Sequence, residues 1–183
     1  MGWKFGKKRQ QFPLKRIIVI ATEGTVTEPE YFQKLNSMSE TTAFSIVENL
    51  GNGSDPCAVL ARMKKHLKRC PLGKNDEAWI VVDQDKWSDD SFKAIKEWAN
   101  MPNYHYAISI QRFEDWLKLH GCGEKTWKEK NRRLLCGKDK HIPPKDVVTK
   151  DRVFYAREKA KELYSTSGSV GNVFELIESF FRE

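Results

Sequence analysis

No stretch of this 183-residue sequence approaches the roughly 20 consecutive apolar residues that a membrane-spanning helix requires. Its apolar runs, such as Ile17–Ala21, stop at strand length. The opening residues are basic, but no hydrophobic signal region and no small-residue cleavage site follow them. The expectation is therefore a cytoplasmic protein that is neither secreted nor inserted in a membrane. Cysteine is sparse: Cys57, Cys70, Cys122 and Cys136 form no C-x-x-C pair and no dense framework, which suits reduced thiols. Gly51-Asn-Gly-Ser lacks the G-K-[ST] ending of a phosphate loop, so no ATP site is expected in the chain itself. Internal repeats and low-complexity tracts are missing too, and no Ser-His-Asp constellation stands out.

What is present suffices for one domain with a real core: 39% of residues are apolar and 11% aromatic. The net charge of +7 is unevenly spread. Residues 1–16 hold six Lys or Arg and no acid, and residues 121–160 hold twelve basic and six acidic residues. The remainder is net acidic. Two basic segments around an acidic core suit a protein that grips a polyanion near a carboxylate-rich site. Solvated surface charge would give the same composition.

Residues 15–21 form a continuous β-branched run, as expected of a strand covered on both faces. Ala43–Val47, Ala78–Val82 and Tyr104–Ile110 read as further strands. Helical spacing appears after Thr27, from Pro56 to Cys70, from Asp89 to Ala99 and from Phe113 to His120. Thr27 is the expected N-cap of the first helix, with Glu28, Pro29 and Glu30 in its opening turn. The alternation predicts an α/β fold, a parallel sheet of about four strands flanked by helices. Glycines, Pro143-Pro144 and many lysines predict an extended insertion over 121–150. Helices follow over 151–164 and 172–181. The implied organisation is a basic N-terminal arm (1–14), a core (15–120), and a basic insertion with C-terminal helices packed on that core (121–183).

Ligands of an open parallel sheet bind outside the carboxyl ends of its strands. Acids stand at that place three times: Glu23 after the first strand, Asp83 and Asp85 after the third, Glu114 after the fourth. Carboxylates at this density repel one another unless a hard cation neutralises them, and an all-oxygen donor set suits Mg²⁺ or Mn²⁺. Such an ion binds phosphate oxygens and offsets charge on a leaving oxygen. As ordinary loop residues, the same acids would merely cap helices.

Glu23-Gly24 after one strand and Asp83-x-Asp85 after a later one resemble the Toprim signature of topoisomerases, primases and related nucleases. More narrowly, Glu23-Gly24-x-x-Thr27-Glu28-Pro29-x-Tyr31-Phe32 resembles the opening motif of RloB-like proteins. These are small Toprim-type proteins of prokaryotic restriction and abortive-infection loci, often encoded beside an ABC-type ATPase. Ser109-x-x-x-Phe113-Glu114-x-Trp116-Leu117-x-x-His120 resembles their third motif, with Ile110-Gln111 in place of the usual Asn-Pro and Lys118 in place of an apolar residue.

The resemblance implies a metal-dependent nuclease of antiphage defence, acting on DNA or RNA as the effector of a partner ATPase. Glu23 would be its general acid or base, and Asp83 and Asp85 its metal ligands with Glu23. Glu28, Glu114 and His120 are second-tier candidates. A non-catalytic subunit that binds a metal–nucleotide or RNA end is the alternative. Phosphate contacts would come from Lys7, Lys8 and Arg9, interleaved with Trp3, Phe5 and Phe12, and from Lys128, Arg132 and Arg133 among the lysines up to Lys140. His120, Cys122, Cys136 and His141 also have the residue types of a zinc site.

Overall fold

A computed structural model describes residues 14–51, 53, 55–84, 87–143, 147–168 and 170–182. Four strands form one sheet: β1 (Arg16–Thr22), β2 (Thr42–Ile46), β3 (Glu77–Asp83) and β4 (Tyr104–Ser109). Their order is β2-β1-β3-β4 and every pairing is parallel. The helices are α1 (Thr27–Leu35), α2 (Pro56–Arg69), α3 (Asp89–Trp98), α4 (Phe113–Leu119), α5 (Lys125–Lys130), α6 (Arg132–Leu135), α7 (Lys150–Ser167) and α8 (Val173–Phe180). The expected α/β class holds.

The two inner strands, β1 and β3, are buried nearly throughout, because each face of the sheet carries its own apolar layer. On one face, Val19, Ala21, Ile80 and Val82 pack with Val59 and Met63 of α2 and Phe92 and Ile95 of α3. On the other, Ile18, Ile20, Trp79 and Val81 pack with α1, α4, α7 and α8. Side chains alternate along a strand. Asp83 therefore shares the face of Trp79 and Val81, and Ser109, its register partner, shares the face of Ala107.

The C-terminal helices belong to this core. Phe180 of α8 stacks on Phe44 of β2 with ring centroids 4.3 Å apart, and Val153, Ala156 and Ala160 line the buried side of α7. Gly168 ends α7 in a left-handed conformation (φ 60°), where a side chain would be strained. Asn172 then covers the open edge of β4: its Oδ1 accepts from Ile108 N–H at 2.7 Å and its Nδ2 donates to Tyr106 C=O at 3.0 Å. That pairing satisfies backbone groups an edge strand would leave exposed.

Two sequence expectations are corrected. The segment 121–136 is not extended: α5 and α6 form there, and Trp127, Leu134 and Leu135, with Ile142 and Val147 further along, are buried in the main core. These apolar residues are few, yet each docks, and the basic residues between them turn outward. Thr27 is not the N-cap of α1. Val26 holds that position, while the buried Thr27 hydroxyl donates to Lys140 C=O at 2.9 Å.

Candidate active site

The site is built at the carboxyl ends of β1, β3 and β4. Glu23 continues the β1 ladder by one bond, its N–H donating to Val81 C=O at 3.0 Å. Its backbone is held from the other side by Asn49 Nδ2, which donates to Glu23 C=O at 2.9 Å. Arg62 of α2 donates to Thr22 C=O at 2.7 Å and to Gly53 C=O at 2.7 Å, bracing the turn just before Glu23. The Glu23 carboxylate then accepts from Asp83 N–H at 3.2 Å. Strand adjacency alone brings these two acids together, as the register Thr22↔Val81 requires.

Glu28 reaches back one turn from α1, and its carboxylate accepts from Gly24 N–H at 3.0 Å. A Cβ on Gly24 would overlap that carboxylate, so any side chain here displaces the end of Glu28. Asp83 accepts from the backbone N–H of Phe113, where the chain enters α4. Glu114, the next residue, is buried, with its Oε1 3.6 Å from Lys140 Nζ. Glu23, Glu28, Asp83, Glu114, Arg112 and Lys140 line one cleft of about 420 Å³. Although Ile110-Gln111 replaces the family's Asn-Pro, α4 begins at Phe113 and Glu114 reaches the cleft.

Crowding shows in the protonation of these groups. Burial, reinforced by Glu28 and Glu23, pushes the Asp83 carboxyl up to about 8 despite the Phe113 N–H. Burial likewise raises Glu28, with Glu114 and Glu23 adding to the shift and the Gly24 N–H opposing it. Carboxyls that resist ionising together form a site in which a cation relieves the repulsion. The donor set is oxygen only, which fits Mg²⁺ or Mn²⁺. Among the described residues, no three His, Cys, Asp or Glu groups stand close enough to hold a metal unaided. Asp85, the expected third member beside Glu23 and Asp83, lies outside the described residues, as do Lys7, Lys8 and Arg9.

Glu28, placed by the sequence at a helix N-terminus, lines the cleft, and its charge opposes the ionisation of Asp83. Lys140 and Arg112 were not singled out as site residues by spacing. Lys140 counted only as one of a basic group. Its position depends on contacts far apart in sequence: Thr27 holds its carbonyl, and Glu30 accepts from His141 Nδ1 at 2.6 Å and from Ile142 N–H at 2.7 Å. Lys128, Arg132 and Arg133 are exposed on α5 and α6, outside the cleft lining.

His120 is not among the residues that line the cleft. It is fully buried, 3.2 Å from the Tyr31 hydroxyl through Nε2 and 3.2 Å from Trp116 C=O through Nδ1. A carbonyl only accepts, so Nδ1 carries the proton and Nε2 receives the Tyr31 O–H; this tautomer follows from the partners. Nor do the four zinc candidates converge: Cys122 Sγ donates to His120 C=O, Cys136 is exposed, and His141 pairs with Glu30.

A family model described as RloB-like protein matches residues 18–179. No curated protein and no solved structure matches the chain. The family match runs from β1 to α8, through the acid-bearing strand ends and the C-terminal helices that complete the core alike. The chain belongs to the RloB-like protein family.

Proposed function

We propose that this protein is a Mg²⁺- or Mn²⁺-dependent nuclease that hydrolyses phosphodiester bonds of DNA or RNA. It would act in antiphage defence as the cytoplasmic effector of an ABC-type ATPase. The observation that carries the reading is the meeting of Glu23, Glu28, Asp83 and Glu114 in one cleft rimmed by Arg112 and Lys140. Carboxylates alone would repel a phosphodiester; paired with basic side chains at the rim, they suit a polyanion delivered to a cation site.

Glu23 and Asp83, joined by Asp85, would hold the ion. When bound, it supplies Lewis-acid polarisation of a phosphate oxygen. Arg112, exposed at the edge of the cleft, would bind the strand's phosphate bidentately through its guanidinium. Lys140 neutralises a second phosphate oxygen by turning from Glu114. Glu23 moves the proton of the attacking or leaving oxygen, since its backbone is clamped on both sides and its carboxylate faces Asp83.

The test is cleavage of labelled plasmid, single-stranded DNA and total tRNA with each ion, with and without the partner ATPase. Glu23→Gln and Asp83→Asn should abolish cleavage that the native chain performs. Metal binding that Asp83→Asn removes, without cleavage of any substrate, would overturn hydrolysis and favour a regulatory subunit.

A further inference from the structure

The first turn of α1 serves the cleft in two ways. Glu28 lines the cleft itself, whereas Thr27 and Glu30 hold the segment that carries Lys140 to its rim. Three consecutive residues of that segment are tied to this turn. Thr27 Oγ donates to Lys140 C=O at 2.9 Å. One Glu30 carboxylate oxygen accepts from His141 Nδ1 at 2.6 Å, and the other accepts from Ile142 N–H at 2.7 Å. The Ile142 side chain is buried in the main core, which pins the segment at its far end. The Lys140 side chain, by contrast, is 62% exposed, and its Nζ stands 3.6 Å from Glu114 Oε1, too far for a good hydrogen bond. The backbone of Lys140 is fixed, and its ammonium can change partner.

Placement in the first turn of a helix explains an acid at position 30 in general, since a carboxylate favours the positive end of the dipole. It does not explain why both oxygens are spent on a segment more than a hundred residues away. The pair with His141 is charge-assisted, because the bond from Glu30 raises the imidazole above its ordinary value. His141 is open to solvent, however, and an exposed pair of this kind contributes little by itself. The bonds at the Lys140 carbonyl and the Ile142 N–H, both partly buried, therefore carry most of the hold.

We infer that Glu30 is a positioning residue of the cleft: by clamping residues 141–142 to α1, it keeps the Lys140 ammonium within reach of the phosphate of a bound strand. The inference rests on the reading of the cleft as a phosphodiester site. It adds to that reading an acid that promotes the binding of a polyanion without touching it. Plain electrostatics gives the opposite sign, because a carboxylate near the path of a polyanion repels it and its removal tightens binding. The sign of the Glu30 effect is thus the signature of the clamp.

The experiment measures binding of a short labelled single-stranded DNA and of labelled total tRNA to the full chain at several salt concentrations, with Ca²⁺ in place of the catalytic ion. Glu30→Ala, Glu30→Gln, Lys140→Ala and the double variant Glu30→Ala/Lys140→Ala are compared, and thermal melting of each verifies folding. Lys140→Ala should weaken binding about five-fold at low salt and flatten the slope of log affinity against log salt by about 0.7, the loss of one phosphate contact. Glu30→Ala should weaken binding about three-fold and flatten the slope as well, although it makes the chain more positive. Glu30→Gln keeps an oxygen that accepts from Ile142 N–H, so its affinity should fall between those of Glu30→Ala and the native chain. It also serves as the test should Glu30→Ala not fold. In the Lys140→Ala background, Glu30→Ala should weaken binding no further, since the group it positions is gone.

Binding by the Glu30 variants as tight as that of the native chain, or tighter, overturns the inference. So does an equal loss in both backgrounds, which marks general damage to the cleft. Weaker binding by Lys140→Ala beside unchanged binding by Glu30→Ala sinks the inference and spares the cleft reading. A native chain that binds neither probe overturns the cleft reading and this inference with it.

Discussion

Acidification from neutral pH should destabilise this protein through one residue, His120, and by a calculable amount. The imidazole is fully buried between the Tyr31 hydroxyl and Trp116 C=O, a setting that holds it neutral. Burial lowers it from 6.5 to about 4, with the Arg152 guanidinium adding to the shift and the Trp116 carbonyl opposing it. Between those two values the unfolded chain binds a proton that the folded chain refuses. The contribution to stability is therefore complete above about pH 6.5 and is lost as pH falls toward 4. At about pH 5 the loss is about 2 kcal/mol, and at about pH 4 about 3 kcal/mol. With a urea slope of about 2 kcal/mol per molar, the first figure moves the unfolding midpoint by about 1 M. Other groups titrate in the same range, so the quantity to measure is the difference between the native chain and His120→Gln. Urea unfolding followed by tryptophan fluorescence at several pH values between 7 and 5 supplies it. The variant should be less stable at neutral pH and should show the shallower pH dependence. Equal slopes for the two proteins, or an imidazole titrating near 6.5 by NMR, would refute the buried neutral state.

Asp83→Asn should abolish metal-dependent cleavage yet raise the melting temperature, because it removes a buried carboxyl crowded by Glu28 and Glu23. A lower melting temperature by calorimetry would contradict that picture. Gly24→Ala should displace the Glu28 carboxylate and reduce activity with little change in stability, read by comparing initial rates with the urea midpoint. At the opposite end of the sheet, Glu77 accepts from Ser179 Oγ at 2.5 Å, Trp79 Nε1 at 2.9 Å and Arg16 Nη1 at 3.0 Å, and pairs with Arg182. Burial pushes its carboxyl up, but the Ser179 and Trp79 bonds and the two arginines outweigh it and hold the carboxyl below its ordinary value. Glu77→Gln should therefore lower stability by about 2–3 kcal/mol at neutral pH, measured by chemical denaturation, and leave metal binding intact. Phe180→Ala should lower it by about 3–5 kcal/mol, since the ring is fully buried against Phe44 and Phe181.

The strands, the parallel sheet and the pairing of Glu23 with Asp83 were legible in the sequence because each rests on local rules. Strand-length apolar runs without alternation demand cover on both faces. An acid directly after such a run must lie at the strand's carboxyl end. Neighbouring parallel strands then bring Glu23 beside Asp83 whatever the rest of the chain does. The family motif around Glu23 was equally local, and the match over residues 18–179 supports it.

Tertiary structure decided what depends on distant segments. Residues 121–150 look extended because glycine, proline and lysine dominate their composition. The stretch 121–136 packs because Trp127, Leu134 and Leu135 find apolar surface on the core, which no local pattern announces. Lys140 enters the cleft only through Thr27 and the backbone ties to Glu30, more than a hundred residues earlier. His120, equally suited by its chemistry to a metal or a core, was settled by the Tyr31 hydroxyl and Trp116 carbonyl on either side of its ring. Periodicity and capping act over a few residues and are written in order along the chain. The partner of a buried polar side chain is chosen by packing in three dimensions, and that choice appears only when the chain has folded.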